Sequence, residues 1–440
     1  MESIFEFLRL IQSKDLFFWD VKTHSCKSIS SQFVVIKLKD YLVEQNKKEK
    51  LFKYPDKYFK ILGVNNQNGL FDAYEEQGKN INQPYKKVEN GWFAYNPYRV
   101  NVGSIGLKSA QQNNEYISPA YVVFSCKEAL LPDYLNIIIK TKFFNEAIKA
   151  NTTGSVRQTL GFNNLCNIRI PLPSIERQKE LVAQYNALLN LAKDRENQAD
   201  AIEQSIDDYL MTELGIEDNL ISTNKNLFQT VEYKNLSKWV LDASYSISSK
   251  YKIFSFDEVC SKITDGTHQT PEYVSQGITF LSAKDVTSQE LSLKNVKYIP
   301  EYLHNQLKAR CLPQKDDILL AKNGTTGVAA LFTLDYEVSI YVSLALLRCN
   351  LQLILPKFLL YYINSKFAKE QFDKGLIGVG VPNLHLSVIK NTLIPLPPLD
   401  VQNQIVEEIT LRKEQIKNLR EESEKLRLQA ISNFEKEVFN

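Results

Sequence analysis

Apolar positions spaced alternately four and three residues apart run through two stretches of the chain. The first comprises Leu181, Tyr185, Leu188, Ala192, Arg195, Ala199, Ile202, Ile206 and Tyr209. The second comprises Ile405, Ile409, Arg412, Ile416, Leu419, Ser423, Leu426, Ala430 and Asn433. Such spacing is the seam of a coiled coil. Wherever one seam carries a polar residue, the other carries an apolar one at the matching place. The pattern predicts two long helices that pair with each other, running antiparallel, rather than each lying only on its own globular neighbour. Pro171 and Pro173 mark the boundary before the first helix. Ser174 can cap it, Glu176 falls in its first turn, and Gly215 can terminate it. Asp400 is expected to take the capping part in the second. At this spacing each helix extends roughly 55–60 Å, more than one turn of B-DNA at about 34–36 Å.

The two helices belong to a larger repeat. Ile170-Pro171-Leu172-Pro173 recurs as Ile394-Pro395-Leu396-Pro397, and Gln178 recurs as Gln402, at an offset of 224 residues. At the same offset Pro132 matches Pro356, Lys142-Phe143 matches Lys366-Phe367, Gly154 matches Gly378 and Leu160 matches Leu384. Upstream the offset shifts to 221, setting Gly103-Ser104-Ile105-Gly106 against Gly324-Thr325-Thr326-Gly327. Trp19 and Trp239 are placed to open the two copies. A repeat this long means tandem domains. The expected organisation is a globular segment over residues 1–173, a helix over 174–215, a second globular segment over 216–397 and a second helix over 398–440. The expected class is α+β, with an antiparallel coiled coil and pseudo-twofold symmetry.

Charge sharpens this division. The 440 residues carry a net charge of only +2. By segment, residues 1–170 carry +7 and 218–397 carry +3, whereas 171–217 carry −6 and 398–440 carry −2. A polyanion is drawn to the globular segments and repelled by the helices. A hydrophobic fraction of 44% excludes a disordered chain. Met1–Leu10 carries Glu2 and Glu6 without a basic start, unlike a signal peptide. The most apolar stretch, Ile340–Leu355, is short for a membrane span and contains Arg348. Six scattered cysteines, with no Cys-x-x-Cys pair, fit a reducing cytoplasm and give no zinc site.

The parts of a DNA-acting enzyme are missing together. There is no Gly-x-x-x-x-Gly-Lys-[Ser/Thr] loop for a nucleotide. Asn96-Pro97-Tyr98 is similar to the Asn-Pro-Pro-Tyr motif of amino-methyltransferases, but it lacks the second proline and no Gly-rich cofactor loop precedes it. The triplets Asp20-Val21-Lys22 and Glu232-Tyr233-Lys234 have no Pro-Asp placed upstream to complete a nuclease site. No Ser-His-Asp set stands at usable spacing. On residues alone three classes stay open: a DNA-reading subunit, an enzyme with an unrecognised site, and a coiled-coil scaffold.

The second globular segment then narrows the choice. It carries, in order, Thr264-Asp265-Gly266-Thr267-His268, Gly277-Ile278-Thr279-Phe280-Leu281, Asp316-Asp317-Ile318-Leu319, Gly324-Thr325-Thr326-Gly327 and Ile394-Pro395-Leu396-Pro397-Pro398-Leu399. That series resembles the specificity subunits of type I restriction–modification enzymes, over nearly the whole chain. Residues 1–130 lack the Thr-Asp-Gly-x-His match, and the Glu-Gln usual after the proline pair is Arg177-Gln178 and Val401-Gln402 here. The resemblance implies two target-recognition domains, each followed by a helix, in a subunit without catalytic activity that binds double-stranded DNA. It implies two methyltransferase partners using S-adenosylmethionine, restriction/translocase partners using ATP and magnesium, and no cofactor on this chain.

DNA-contact candidates follow from residue type. Lys322, Asn323 and Thr325 lie on a Gly-rich turn, where Asn suits adenine and Lys suits guanine or phosphate. Asn101, Ser104 and Lys108 are the expected counterpart. Thr267, His268 and Lys284 are further candidates in the second copy. In the first, Ser155, Arg157 and Gln158 stand where the second copy is apolar. The run Lys47-Lys48-Glu49-Lys50 offers charges for phosphates, although a solvated surface is the commoner fate of such runs.

Overall fold

A computed structural model describes residues 29–66, 69–98, 103–152, 159–216, 248–286, 289–375 and 383–439. Among them no helix is long and apolar enough to cross a membrane. The chain forms two units: Met1–Glu196 with Glu421–Asn440, and Asn197–Arg420. The divisions fall inside long helices, not at the proline boundaries, because each globular core is completed by segments of both helices.

The first unit begins with β1 (Val34–Lys37) and β2 (Leu42–Glu44), then β3 (Lys48–Glu49), β4 (Tyr58–Asn65), β5 (Gly69–Gln77) and β6 (Tyr85–Lys87). It continues with β7 (Phe93–Tyr95), β8 (Ile105–Leu107), β9 (Tyr116–Ile117) and β10 (Val122–Cys126). Three helices follow, α1 (Pro132–Lys140), α2 (Lys142–Asn151) and α3 (Phe162–Cys166), then β11 (Arg169–Leu172) and the long α4 (Ile175–Leu214). In the second unit β12 (Ile253–Ser255), α5 (Phe256–Val259) and β13 (Cys260–Asp265) lead to β14 (Ile278–Leu281), β15 (Lys297–Ile299) and α6 (Glu301–Leu307). Then come β16 (Ile318–Ala321), β17 (Ala329–Leu331), β18 (Ser339–Ile340) and β19 (Leu344–Cys349). Helices α7 (Pro356–Asn364), α8 (Lys366–Lys374) and α9 (Leu386–Asn391), strand β20 (Leu393–Pro395) and the long α10 (Leu399–Phe439) complete it.

One frame is built twice. Four antiparallel strands order as β2-β10-β7-β8 in the first unit and β13-β19-β16-β17 in the second. A two-stranded pair, β1-β11 or β12-β20, joins the start of each unit to the strand before its proline boundary. Pro132 and Pro356 each start a helix where the missing N–H costs nothing. Apolar residues fill the inner faces of these helices, including Leu135 and Ile138 in α1 and Leu359 and Ile363 in α7.

Between the frame strands the units differ. The first inserts a five-stranded sheet, β3-β6-β9-β4-β5, and the second a three-stranded sheet, β15-β14-β18. Both insertions enter at the same two places, between the first and second frame strands and between the third and fourth.

The repeated glutamine has a defined job in each unit. Gln178 is fully buried; its Oε1 accepts from Leu131 N at 2.9 Å, and its Nε2 donates to the carbonyls of Ala129 and Pro173, both at 3.0 Å. Gln402 repeats this with Leu355 N at 2.8 Å, Leu353 O at 2.9 Å and Pro397 O at 2.8 Å. Each glutamine thus ties the start of its long helix to the turn before α1 or α7. Three backbone groups find partners that no regular element supplies.

Within each unit the long helices pair antiparallel. In the first, Arg177 meets Glu437 at 2.7 Å, Arg195 meets Glu422 at 3.1 Å, and Ser423 Oγ donates to Ala192 O at 2.9 Å. In the second, Arg412 donates to Ser205 O at 3.1 Å, and Arg420 meets Asp200 at 3.1 Å and Glu203 at 2.6 Å. Partner numbers fall on one helix as they rise on the other. Leu181, Tyr185, Ile405, Ile409 and Ile416 are buried, and Leu188, Ile202, Ile206, Leu419 and Leu426 are half-buried. The small seam residues Ala192, Ala199, Ser423 and Ala430 are all buried, which lets the backbones approach closely.

Two details depart from the sequence pattern. Asn433 is exposed and Tyr209 only half-buried; Phe434 and Leu210 take the seam, followed by Val438 and Leu214. A straight α-helix drifts from a seven-residue repeat. Where it meets a globular core, spacing of four and four keeps it facing inward. Phe434 packs on Tyr134 with ring centroids 5.6 Å apart, while Leu210 and Leu214 join the core with Phe358 and Ile405. Asp400 lies inside the first turn of α10, which already starts at Leu399. It acts there on the helix dipole, not as the cap.

Candidate nucleic-acid interface

Equivalent backbone bonds hold the hairpin in both frames. In the first unit the β7–β8 hairpin is closed by Asn96 N donating to Ser104 O at 3.1 Å, and Pro97 O accepts from Leu160 N at 3.0 Å. In the second, Ala321 N donates to Val328 O at 2.8 Å, and Lys322 O accepts from Leu384 N at 2.9 Å. Each hairpin is therefore pinned to a leucine downstream of α2 or α8. Asn101, Ser155, Arg157 and Gln158 lie outside the described residues.

These bonds also correct the repeat. Gly103 and Gly327 both have positive φ, 85° and 86°, two residues before β8 and β17. They are the true counterparts, so the offset is 224 on the second arm of the hairpin and 225 on the first, the loop being one residue longer in the first unit. Gly106 instead lies within β8, where a Cβ would strike the backbone of Gly69 and Leu70. Lys322 occupies the place of Pro97.

Asp265, at the end of β13, organises the second unit's cluster. It is 2% exposed. Lys322 Nζ donates to its Oδ2 at 2.8 Å, Arg310 Nη2 to its Oδ1 at 2.6 Å, and His268 Nε2 lies 3.3 Å from Oδ1. Burial alone would raise the carboxyl pKa. The bonds and charges of Lys322 and His268 outweigh that and hold it below the usual carboxylate range. Gly266 follows because a Cβ there would run into Ile340 O. Thr267 N donates to Ile340 O at 3.1 Å, and its Oγ1 accepts from Gln269 N at 3.3 Å. The Thr-Asp-Gly-Thr-His run is thus an ion-pair hub on a turn pressed against a neighbouring strand.

A second buried carboxylate, Asp317, accepts from Arg348 Nε at 2.8 Å and Nη2 at 2.7 Å. It fastens β19 to the turn before β16, where Asp316 takes a positive φ of 70°.

Several candidates have inward roles. Lys322 is buried in the Asp265 pair, so its ammonium is committed. Lys108 is buried with Nζ on Val88 O at 3.0 Å, and burial lowers its pKa. Its long stem fills the interior below the hairpin instead of reaching phosphate. Ser104 is buried, its carbonyl closing the hairpin. Thr325 and His268 are exposed and Asn323 is half-buried, bridged to Asn383. Lys284 is exposed, with Nζ on Asn295 O at 2.9 Å. Arg310 was invisible in the sequence. It lies in none of the motifs, and only its convergence on Asp265 reveals it. Among the described residues no group of three His, Cys, Asp or Glu could hold a metal.

Residues 248–427 match the family model described as the type I restriction modification DNA specificity domain. The chain carries a type I restriction–modification DNA specificity domain. It is 24% identical over 345 residues to the MjaVIII specificity subunit of Methanocaldococcus jannaschii, covering 76% of this chain and 74% of that one. It is 23% identical over 282 residues to the EcoBI specificity subunit of Escherichia coli, covering 63% of this chain and 56% of that one. A solved chain from a type I restriction–modification system shares the fold at a TM-score of 0.59 and 17% identity, over 93% of this chain and 98% of that one. The specificity-domain match falls on the second unit and its helix, and the first unit carries the same frame.

Proposed function

We propose that this chain is a specificity subunit that reads a DNA site of two parts, one through each unit, and carries no catalytic centre of its own. The single observation that supports this is one frame built twice with unlike sheets inserted at the same two places. A shared frame presents reading elements in one manner, and different insertions read different bases. Two methyltransferase subunits, supplied with S-adenosylmethionine, dock on the long helices and methylate an adenine in each half-site. Restriction/translocase subunits using ATP and magnesium join the cytoplasmic complex. The acidic helices set the spacer and face protein; the basic globular parts face DNA.

Exchange of residues 1–170 for the same segment of another specificity subunit tests this. Mapping of methylated adenines in the host genome should show one half of the recognised site changed and the other retained. Change in both halves, or methyl transfer by the purified chain alone, would overturn the proposal.

A further inference from the structure

Resting on that DNA-reading role, we propose that Arg310 reads a guanine in the half-site of the second unit, with Asp265 as its positioning residue. The Arg310 side chain is 55% exposed, yet Nη2 is fixed at 2.6 Å on a carboxylate that is itself buried. Exposed arginines usually wander. This one is aimed by a carboxylate already locked by Lys322 from inside. His268, 61% exposed, stands beside it, its Nε2 3.5 Å from Nη2. Lys262 Nζ holds the Arg310 carbonyl at 2.9 Å, so the backbone is fixed as well.

A guanidinium has five N–H donors in a rigid plane. One bond to Asp265 orients the plane and leaves donors for an outside acceptor pair. Guanine O6 and N7 are such a pair, and Arg is their commonest partner. A phosphate can accept a guanidinium fork too, but it is also bound by a lysine as a point charge, without a fixed plane. The investment in orientation points to a base edge. The position agrees, because the Asp265 that holds Arg310 also holds Lys322, which begins the hairpin loop pinned to Leu384.

Arg310→Lys separates fork from charge. Its head group is mostly exposed, and a normal melting temperature checks folding. Methylated adenines are mapped in cells carrying the wild-type or variant subunit, and binding of the purified complexes is measured on half-site panels at several salt concentrations. The expected result is a loss of roughly 10- to 100-fold in preference for one G·C pair. Other positions, and the whole first half-site, keep their selectivity. Weakening uniform across sequences with a shallower salt dependence would make Arg310 a phosphate contact and overturn the proposal. Unchanged selectivity in both Arg310→Lys and Arg310→Ala overturns it too, as does a half-site with no G·C pair. A wild-type complex that discriminates no sequences removes the DNA-reading role itself, which is a distinguishable failure.

Discussion

The first unit surrounds its hairpin with a five-stranded sheet and puts Pro97 at the hairpin's entry; the second uses three strands and Lys322. Both residues offer a carbonyl to the same leucine, Leu160 or Leu384. The backbone duty is shared, so the side chain is left to vary. In the second unit it became half of a buried ion pair. The frame is conserved between the units at the level of backbone hydrogen bonds, and the two diverge where side chains leave the frame.

The largest expected difference between the units lies at that pair. Asp265→Ala leaves the Lys322 ammonium buried without its carboxylate, which costs about 3–5 kcal/mol. Hydrogen exchange of β13, β16 and β19 should record the loss, while β2, β7 and β10 of the first unit stay protected. The depressed pKa of Asp265 adds an acid dependence. Its stabilisation is complete above the ordinary carboxylate pKa of about 4 and is lost as pH falls through the lower folded value. Asp265→Asn should flatten that acid limb in the second unit. Equal loss of protection in both units, or an acid limb unchanged by Asp265→Asn, would show that the pair does not set the second unit apart.

A smaller effect tests what the units share. Gln178→Ala and Gln402→Ala each leave one half-buried N–H and two carbonyls without their partner. Each should cost about 2–3 kcal/mol, seen as an earlier denaturant midpoint for its own unit. The two losses should agree to within about 1 kcal/mol, given how context-dependent such bonds are. A large loss at one site and none at the other would mean that the frames are alike in outline only.

Much of the frame was legible because it is local or repeated. Pro171 and Pro173 mark the boundary before α4, and Gly215 ends it with a φ of 59°. The heptads revealed the long helices, since burial on one face imposes its period on the sequence. Their last turns were misread because a helix leaving a coiled-coil partner for a globular core changes period, as Leu210 and Phe434 show. The inserted sheets were not legible: apart from the β4–β5 hairpin, their strands are short and paired across long sequence separations, which leaves little local signal. The site was the least legible part. Lys108 and Lys322 look like surface cations by type, and only their carbonyl and carboxylate partners reveal them as interior. Arg310 is the opposite case, an ordinary residue given direction by a distant carboxylate.

The smallest effect concerns the paired helices. In the first unit Arg177 bonds Glu437 and Glu180; in the second Arg420 bonds Asp200 and Glu203. All of these partners are substantially exposed to water. Exposed pairs contribute at most about 1 kcal/mol, because solvent screens the charges and two long side chains must be held still. Arg177→Gln and Arg420→Gln should therefore each lower the melting temperature by only a few degrees at low salt, and by nearly nothing at about 1 M, where the Debye length is about 3 Å. The buried seam, with Ala192 against Ser423 in one unit and Ile405, Ile409 and Ile416 in the other, would then carry the pairing in both. A loss above about 2 kcal/mol that survives high salt at only one arginine would instead place part of the helix pairing in charges, and would make the two halves of the coiled coil as unlike as the sheets beside them.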